Sequence, residues 1–145
     1  MSLFLLDTNI VSDMMRNPQG PAAQRALAIS QTAPETQFHT SVIVDCELLY
    51  GLARKPQPRL VAAYERTMAT LTILPLNNDV AQTYASMRNA MTTVGHGLDA
   101  NDTLIAAQAL TAGATLVSAD SAFSRVPGLQ VENWLLPVTS KVRLS

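Results

Sequence analysis

Leu3-Phe4-Leu5-Leu6-Asp7-Thr8-Asn9 sets four consecutive apolar residues directly against an acid and a turn-prone Thr-Asn pair. A short apolar run closed by turn formers reads as a buried strand. The pattern returns at Thr115-Leu116-Val117-Ser118, with Asp120 just beyond. Gln37–Thr40 and Thr72–Leu74 give weaker strand signals, and Leu129–Glu132 adds a short edge strand before a tail. Helical patterns fill the intervals. They cover Ile10–Met15, Pro21–Ser30, Val42–Arg54, Arg59–Leu71, a stretch from Asn77 or Asn78 to about Thr93, and one from Asp99 or Asn101 to near Gly113. Pro21 suits a first helical turn, Thr40 or Ser41 an N-cap, and Gly113 a C-terminal stop. Strands alternating with helices predict an α/β fold. We expect one three-layer α/β/α domain over residues 1–145, with a central, mostly parallel sheet of four to five strands.

The composition narrows the function. Charged residues make up 14% of the chain, against about 25% in a typical soluble protein. The surface must therefore expose neutral and apolar groups, which suits an oligomer or a stable protein partner. Cys46 is the single cysteine, so no internal disulfide forms and a reducing cytosol fits. No stretch approaches the roughly 20 apolar residues of a membrane span, and Leu3–Leu6 is too short for a secretory leader. The expectation is a soluble cytoplasmic protein.

Acids recur where apolar segments stop. Asp7 ends the first strand, Asp120 follows the fourth, Asp99 and Asp102 open a helix, and Glu47 interrupts an apolar stripe containing Ile43, Val44 and Tyr50. A carboxylate among core residues is costly unless paired, hydrogen-bonded or bound to a cation. Ligands of open parallel sheets sit beyond the carboxyl ends of strands, so these distant acids can converge there. Each also has a local explanation: Asp7, Asp99 and Asp120 could cap helices or turns. Asp102 and Glu47 sit among apolar neighbours and need more than a cap. Asp13 and Asp45 read as surface acids. Carboxylates without a Cys or His cluster suit Mg²⁺ or Mn²⁺ rather than Zn²⁺, which points to phosphodiester chemistry. Net charge is −1, from eleven acids and ten bases. With the five acids set aside, bases outnumber acids, enough for modest phosphate steering. Arg54, Lys55, Arg59 and Arg66 cluster as a solvated helix face or an RNA contact.

These residues resemble the PIN-domain ribonucleases, especially toxins of the VapC type. The similarity lies in Leu6-Asp7-Thr8-Asn9, Glu47-Leu48-Leu49-Tyr50-Gly51, Asn101-Asp102-Thr103-Leu104-Ile105-Ala106-Ala107 and Leu116-Val117-Ser118-Ala119-Asp120 with Phe123. Val126-Pro127-Gly128-Leu129 through Glu132-Asn133-Trp134 extends it. The resemblance implies a PIN-like domain and a Mg²⁺- or Mn²⁺-dependent endoribonuclease, the toxin of a type II toxin–antitoxin pair. It implies cleavage of structured RNA (tRNA or rRNA) by a metal-activated water, leaving 3′-hydroxyl and 5′-phosphate ends. Asp7, Glu47, Asp102 and Asp120 fall on the family's catalytic, metal-holding acids, and Thr8, Asn9 and Ser118 on its supporting polar positions. Asp99 is auxiliary, and Arg88 matches a common arginine. A homodimer and a small cognate antitoxin are the implied partners.

Other readings fit less well. A metal-free ribonuclease would need His39 and His96 together. A phosphoacceptor domain would want a lysine late in the sheet, yet none lies between Lys55 and Lys141. An aspartate-nucleophile phosphatase would want an acid at position 9, which is Asn9. A catalytically degenerate PIN domain that only binds protein or RNA is the remaining alternative.

Overall fold

The computed structural model describes residues 2–137. In chain order the elements are β1 (Leu3–Leu6), α1 (Thr8–Arg16), α2 (Pro21–Thr32), β2 (Gln37–Ser41), α3 (Val42–Arg54) and α4 (Pro58–Met68). They continue with β3 (Thr72–Leu74), α5 (Val80–Thr93), α6 (Ala100–Ala112), β4 (Thr115–Val117), a 3₁₀ turn at Ser121–Arg125 and β5 (Val131–Glu132). The five strands form one sheet in the order β3-β2-β1-β4-β5, and every pairing is parallel. One helical group joins α1 to α2 and α4, another joins α5 to α6, and α3 touches both α1 and α6. The expected three-layer α/β/α domain is present, with five strands. Among the described residues no helix is long and apolar enough to cross a membrane.

The chain runs outward from β1 through β2 to β3, then returns to the other side of β1 to lay down β4 and β5. The strand order therefore reverses between β1 and β4, and a crevice opens at their carboxyl ends. Register fixes what meets there: Leu6 lies opposite Val117 on one side and Thr40 on the other. Asp7 and Ser118 are the next residues along the two central strands.

Leu5, Leu6, Leu116 and Val117 are wholly buried, as parallel strands covered on both faces require. Ile105, Ala106, Ala107 and Ala109 form the buried side of α6, where small alanines allow close packing against β4. Val80, Met87 and Met91 are the buried positions of α5. Gly113 stops α6 in the left-handed region at φ 67°, which glycine adopts without steric cost.

Of the two expected caps of α3, Thr40 and Ser41, Ser41 supplies it, accepting from the Ile43 amide at 2.9 Å. Other sequence expectations need correction. The α5 helix begins only after Asp79, beyond both asparagines expected to cap it. Asp13 is buried rather than superficial and accepts from Asn17 at 2.9 Å. Asp45 is half-buried and accepts from the Tyr64 hydroxyl of α4 at 2.5 Å. The supposed tail is part of the core as far as Trp134, which is 2% exposed. Its ring meets Phe4 edge-on at 5.2 Å and Phe38 at 6.0 Å, and its indole N–H donates to Glu132 at 2.9 Å. The remainder of the expected tail, residues 138–145, lies outside the described residues.

Candidate active site

Asp7 closes β1 with its amide donating to the Val117 carbonyl at 2.9 Å. It is 5% exposed and occupies the N-cap position of α1, yet its side chain caps nothing. The carboxylate instead turns to β4, where the Ser118 hydroxyl donates to Oδ2 at 2.8 Å. Ser118 Oγ also accepts from the Asp120 amide at 3.0 Å and from Asn9 Nδ2 at 3.4 Å. Asn9 Oδ1 accepts from the Ala119 amide at 3.1 Å. Asn9 and Ser118 thus stitch the segment after β1 to the segment after β4, which holds Asp7 and Asp120 at one edge. Asp120 is exposed and caps the following turn through the Ala122 amide at 2.9 Å.

Glu47 is exposed, contrary to the buried setting expected from its apolar neighbours. Leu49 and Tyr50 beside it are exposed too, because α3 is covered on only part of its circumference. Its carboxylate accepts from Thr8 Oγ1 at 2.6 Å, which brings α3 to the residue directly after Asp7. Asp99 is the N-cap of α6 and accepts from the Asp102 amide at 2.8 Å, so its side chain has a local structural use. Asp102 is half-buried in the first turn of α6.

The acids act on one another. Burial pushes the Asp7 carboxyl up, Ser118 and the Thr8 amide pull it back, and the charges of Glu47 and Asp120 push it up again. Burial, and then the charges of Asp99, Asp7, Asp120 and Glu47, push Asp102 up to about 6. Arg25 with Glu132, at 3.7 Å, is the one ion pair among the described residues. None of the five acids therefore has a basic partner there. Among those residues no three acids, histidines or cysteines are grouped closely enough to hold a metal ion between them as they stand. An all-oxygen, uncompensated set that stands apart suits a hard cation that keeps part of its water shell, as Mg²⁺ does. The residues present fit such an ion in charge and donor type.

Two supporting residues were not singled out for the site by sequence. Thr40 Oγ1 donates to the Leu6 carbonyl at 2.7 Å and pins the strand end that presents Asp7. Gln108 is buried in α6 and bonds to Ser41. A polar residue inside an apolar stripe was the available signal for Gln108. Of the basic candidates, Arg88 donates to Tyr84 of its own helix at 2.6 Å. Arg59 and Arg66, with Arg16, border a depression between α1 and α4. His39 is half-buried within β2 and His96 sits exposed in the loop after α5. An apolar cavity of about 330 Å³ between α1, α2, β2 and α4 has none of the five acids in its lining.

A family model described as PIN domain matches residues 4–129, which include all five acids. Ribonuclease VapC2 of Haemophilus influenzae is 31% identical over 137 residues, covering 93% of this chain and all of the relative. The VapBC2 structure from Rickettsia felis, bound to a promoter DNA fragment, superposes with a TM-score of 0.83 at 25% identity, covering 91% of this chain and 98% of the other. VapBC-1 from nontypeable Haemophilus influenzae gives 0.79 at 28% identity, with the same coverage. Sheet order, acid-bearing strand ends and sequence similarity thus agree: the chain belongs to the PIN-domain family, among the VapC ribonucleases.

Proposed function

We propose that this protein is a divalent-metal-dependent endoribonuclease, the toxin of a type II toxin–antitoxin pair, acting in the cytoplasm on structured RNA such as tRNA or rRNA. The observation that carries the reading is the group of carboxylates at the β1/β4 switch point, which raise one another's pKa and lack any basic counter-charge among the described residues. Asp7, Glu47, Asp102 and Asp120 would hold Mg²⁺ or Mn²⁺, directly or through water. When bound, the ion supplies a more acidic water and offsets charge at the scissile phosphate.

The chain's own residues prepare that site. Ser118 donates to Asp7 and keeps its carboxylate oriented along the crevice wall. Thr8 donates to Glu47 and fixes where α3 presents its acid. Asn9 holds the β4 segment so that Asp120 stays at the same edge. Asp99 orders the first turn of α6 and so places Asp102. The acids repel RNA until a cation neutralises them, so substrate binding and ion binding are coupled.

An antitoxin partner is supported by the similar solved structures, which are VapBC assemblies. Exposed Leu27, Leu49, Tyr50, Val61 and Ile73 supply apolar surface for that partner and for a homodimer. Expression in a bacterial host tests the whole reading. Wild type should arrest growth and cut RNA, whereas Asp7→Asn and Glu47→Gln should do neither while remaining folded. Isosteric amides that arrest growth and cut as well as wild type would show that the acids are structural.

A further inference from the structure

Gln108 lies in the apolar middle of α6 at 1% exposure, and both ends of its amide are engaged. Its Oε1 accepts a hydrogen bond from the Ser41 hydroxyl. Its Nε2 donates to the carbonyls of Leu74 and Pro75, at 3.3 and 3.2 Å. Ser41 in turn accepts from the Ile43 amide, the bond that caps α3. One directed chain of hydrogen bonds thus runs from the first turn of α3, through Ser41, into α6 and out to the end of β3.

The chain joins elements that carry different acids. Glu47 lies six residues beyond Ser41 on α3, and Asp102 six residues before Gln108 on α6. Each separation is about 9 Å along its helix axis. Asp7, Glu47 and Asp120 are already tied together through Thr8, Asn9 and Ser118. Asp102 is not part of that web. Among the described residues, the Ser41–Gln108 bond is the only side-chain hydrogen bond that links α6 to β2 or α3. An apolar side chain would fill the same space with no polar group to desolvate. A buried polar network with every member satisfied instead selects one arrangement of its elements.

Resting on the nuclease reading above, we infer that Gln108 is a positioning residue, which sets α6 against α3 so that Asp102 and Glu47 serve one cation site. Gln108→Met keeps length and apolar fit but orphans the Ser41 hydroxyl and two carbonyls. The full-length variant is compared with wild type for Mn²⁺ affinity by calorimetry without RNA, for kcat and KM, and for amide exchange at Ile43. We expect the Mn²⁺ Kd to rise about tenfold, equivalent to about 1.4 kcal/mol. The cleavage rate should then recover at high Mn²⁺, and Ile43 should exchange faster. Ser41→Ala should also weaken Mn²⁺ binding, and the double variant should weaken it by less than the product of the two single effects.

A folded Gln108→Met chain with wild-type Mn²⁺ affinity overturns the inference. If that variant does not fold, unaltered Mn²⁺ affinity in Ser41→Ala overturns it instead. A wild-type chain that takes up no Mn²⁺ overturns the nuclease reading and this inference together. Normal uptake in wild type with equal uptake in the variants overturns this inference alone.

Discussion

Asp7 is a carboxylate held almost out of water at the end of the central strand, with the Ser118 hydroxyl as its one side-chain hydrogen-bond partner among the described residues. A hydrogen bond to a buried anion contributes about 1.5–3 kcal/mol. Ser118→Ala should therefore lower the unfolding free energy by about that amount near neutral pH in chelator, measured by urea titration. A loss below about 0.5 kcal/mol would contradict the assignment. Asp102 gives a pH signature. Its carboxyl is pushed from the ordinary 3.8 to about 6, so between those values the folded metal-free chain binds more protons than the unfolded chain. Stability contributed by Asp102 should fall as pH rises through that window and level off above it. His39 acts oppositely: burial lowers its pKa, so its contribution is lost as pH falls below 6.5. The difference between wild type and Asp102→Asn in chelator isolates the Asp102 slope, and parallel stability curves from pH 4 to 7 would refute it. Which acids end strands was legible from single residues, because an acid after an apolar run marks a strand's carboxyl end. The exposure of Glu47 was not, since spacing along α3 does not reveal how much of that helix its neighbours cover.

The strands and helices follow from local pattern wherever the pattern is local. Leu3–Leu6 is recognisable because four apolar residues end at an acid, and Gly113 because glycine ends a helix in the left-handed region without steric cost. The segment after Glu132 was misread because Trp134 has its partners at Phe4 and Phe38, far away in sequence. No periodicity within its own stretch signals that contact. Removing this ring should leave a cavity against the sheet, so Trp134→Ala should cost about 3–5 kcal/mol. Urea unfolding checks this, and a cost under about 1 kcal/mol would place the ring outside the core. Ser41 and Thr40 show the same limit. Both are hydroxyl residues at a strand end, and only the register of β1 beside β2 decides that Thr40 reaches Leu6 while Ser41 caps α3.

At the scale of the molecule, one topological fact organises the site. The sheet reverses direction of growth between β1 and β4, and acids from four separate segments feel one another's charge. The alternation of strands and helices made this architecture legible; the convergence of α3 and α6 on the site depends on packing that no single stretch encodes. The low charge fraction has its counterpart in apolar side chains left on the surface. Light scattering on the purified chain should give twice the chain mass, and co-expression with a cognate antitoxin should yield a stable complex and relieve growth arrest. A monomer indifferent to that antitoxin would remove the partner half of the proposal. Carboxylates at the β1/β4 edge are proposed to cut RNA with a divalent cation. The decisive experiment is cleavage of a labelled structured RNA by the purified chain, in Mg²⁺, in excess chelator, and after Mg²⁺ is restored. Cutting, then none, then cutting again is expected, with folded Asp102→Asn at least about a hundredfold slower than wild type in both Mg²⁺ arms. Cleavage that persists in chelator, or that proceeds at the wild-type rate in Asp102→Asn, would contradict it.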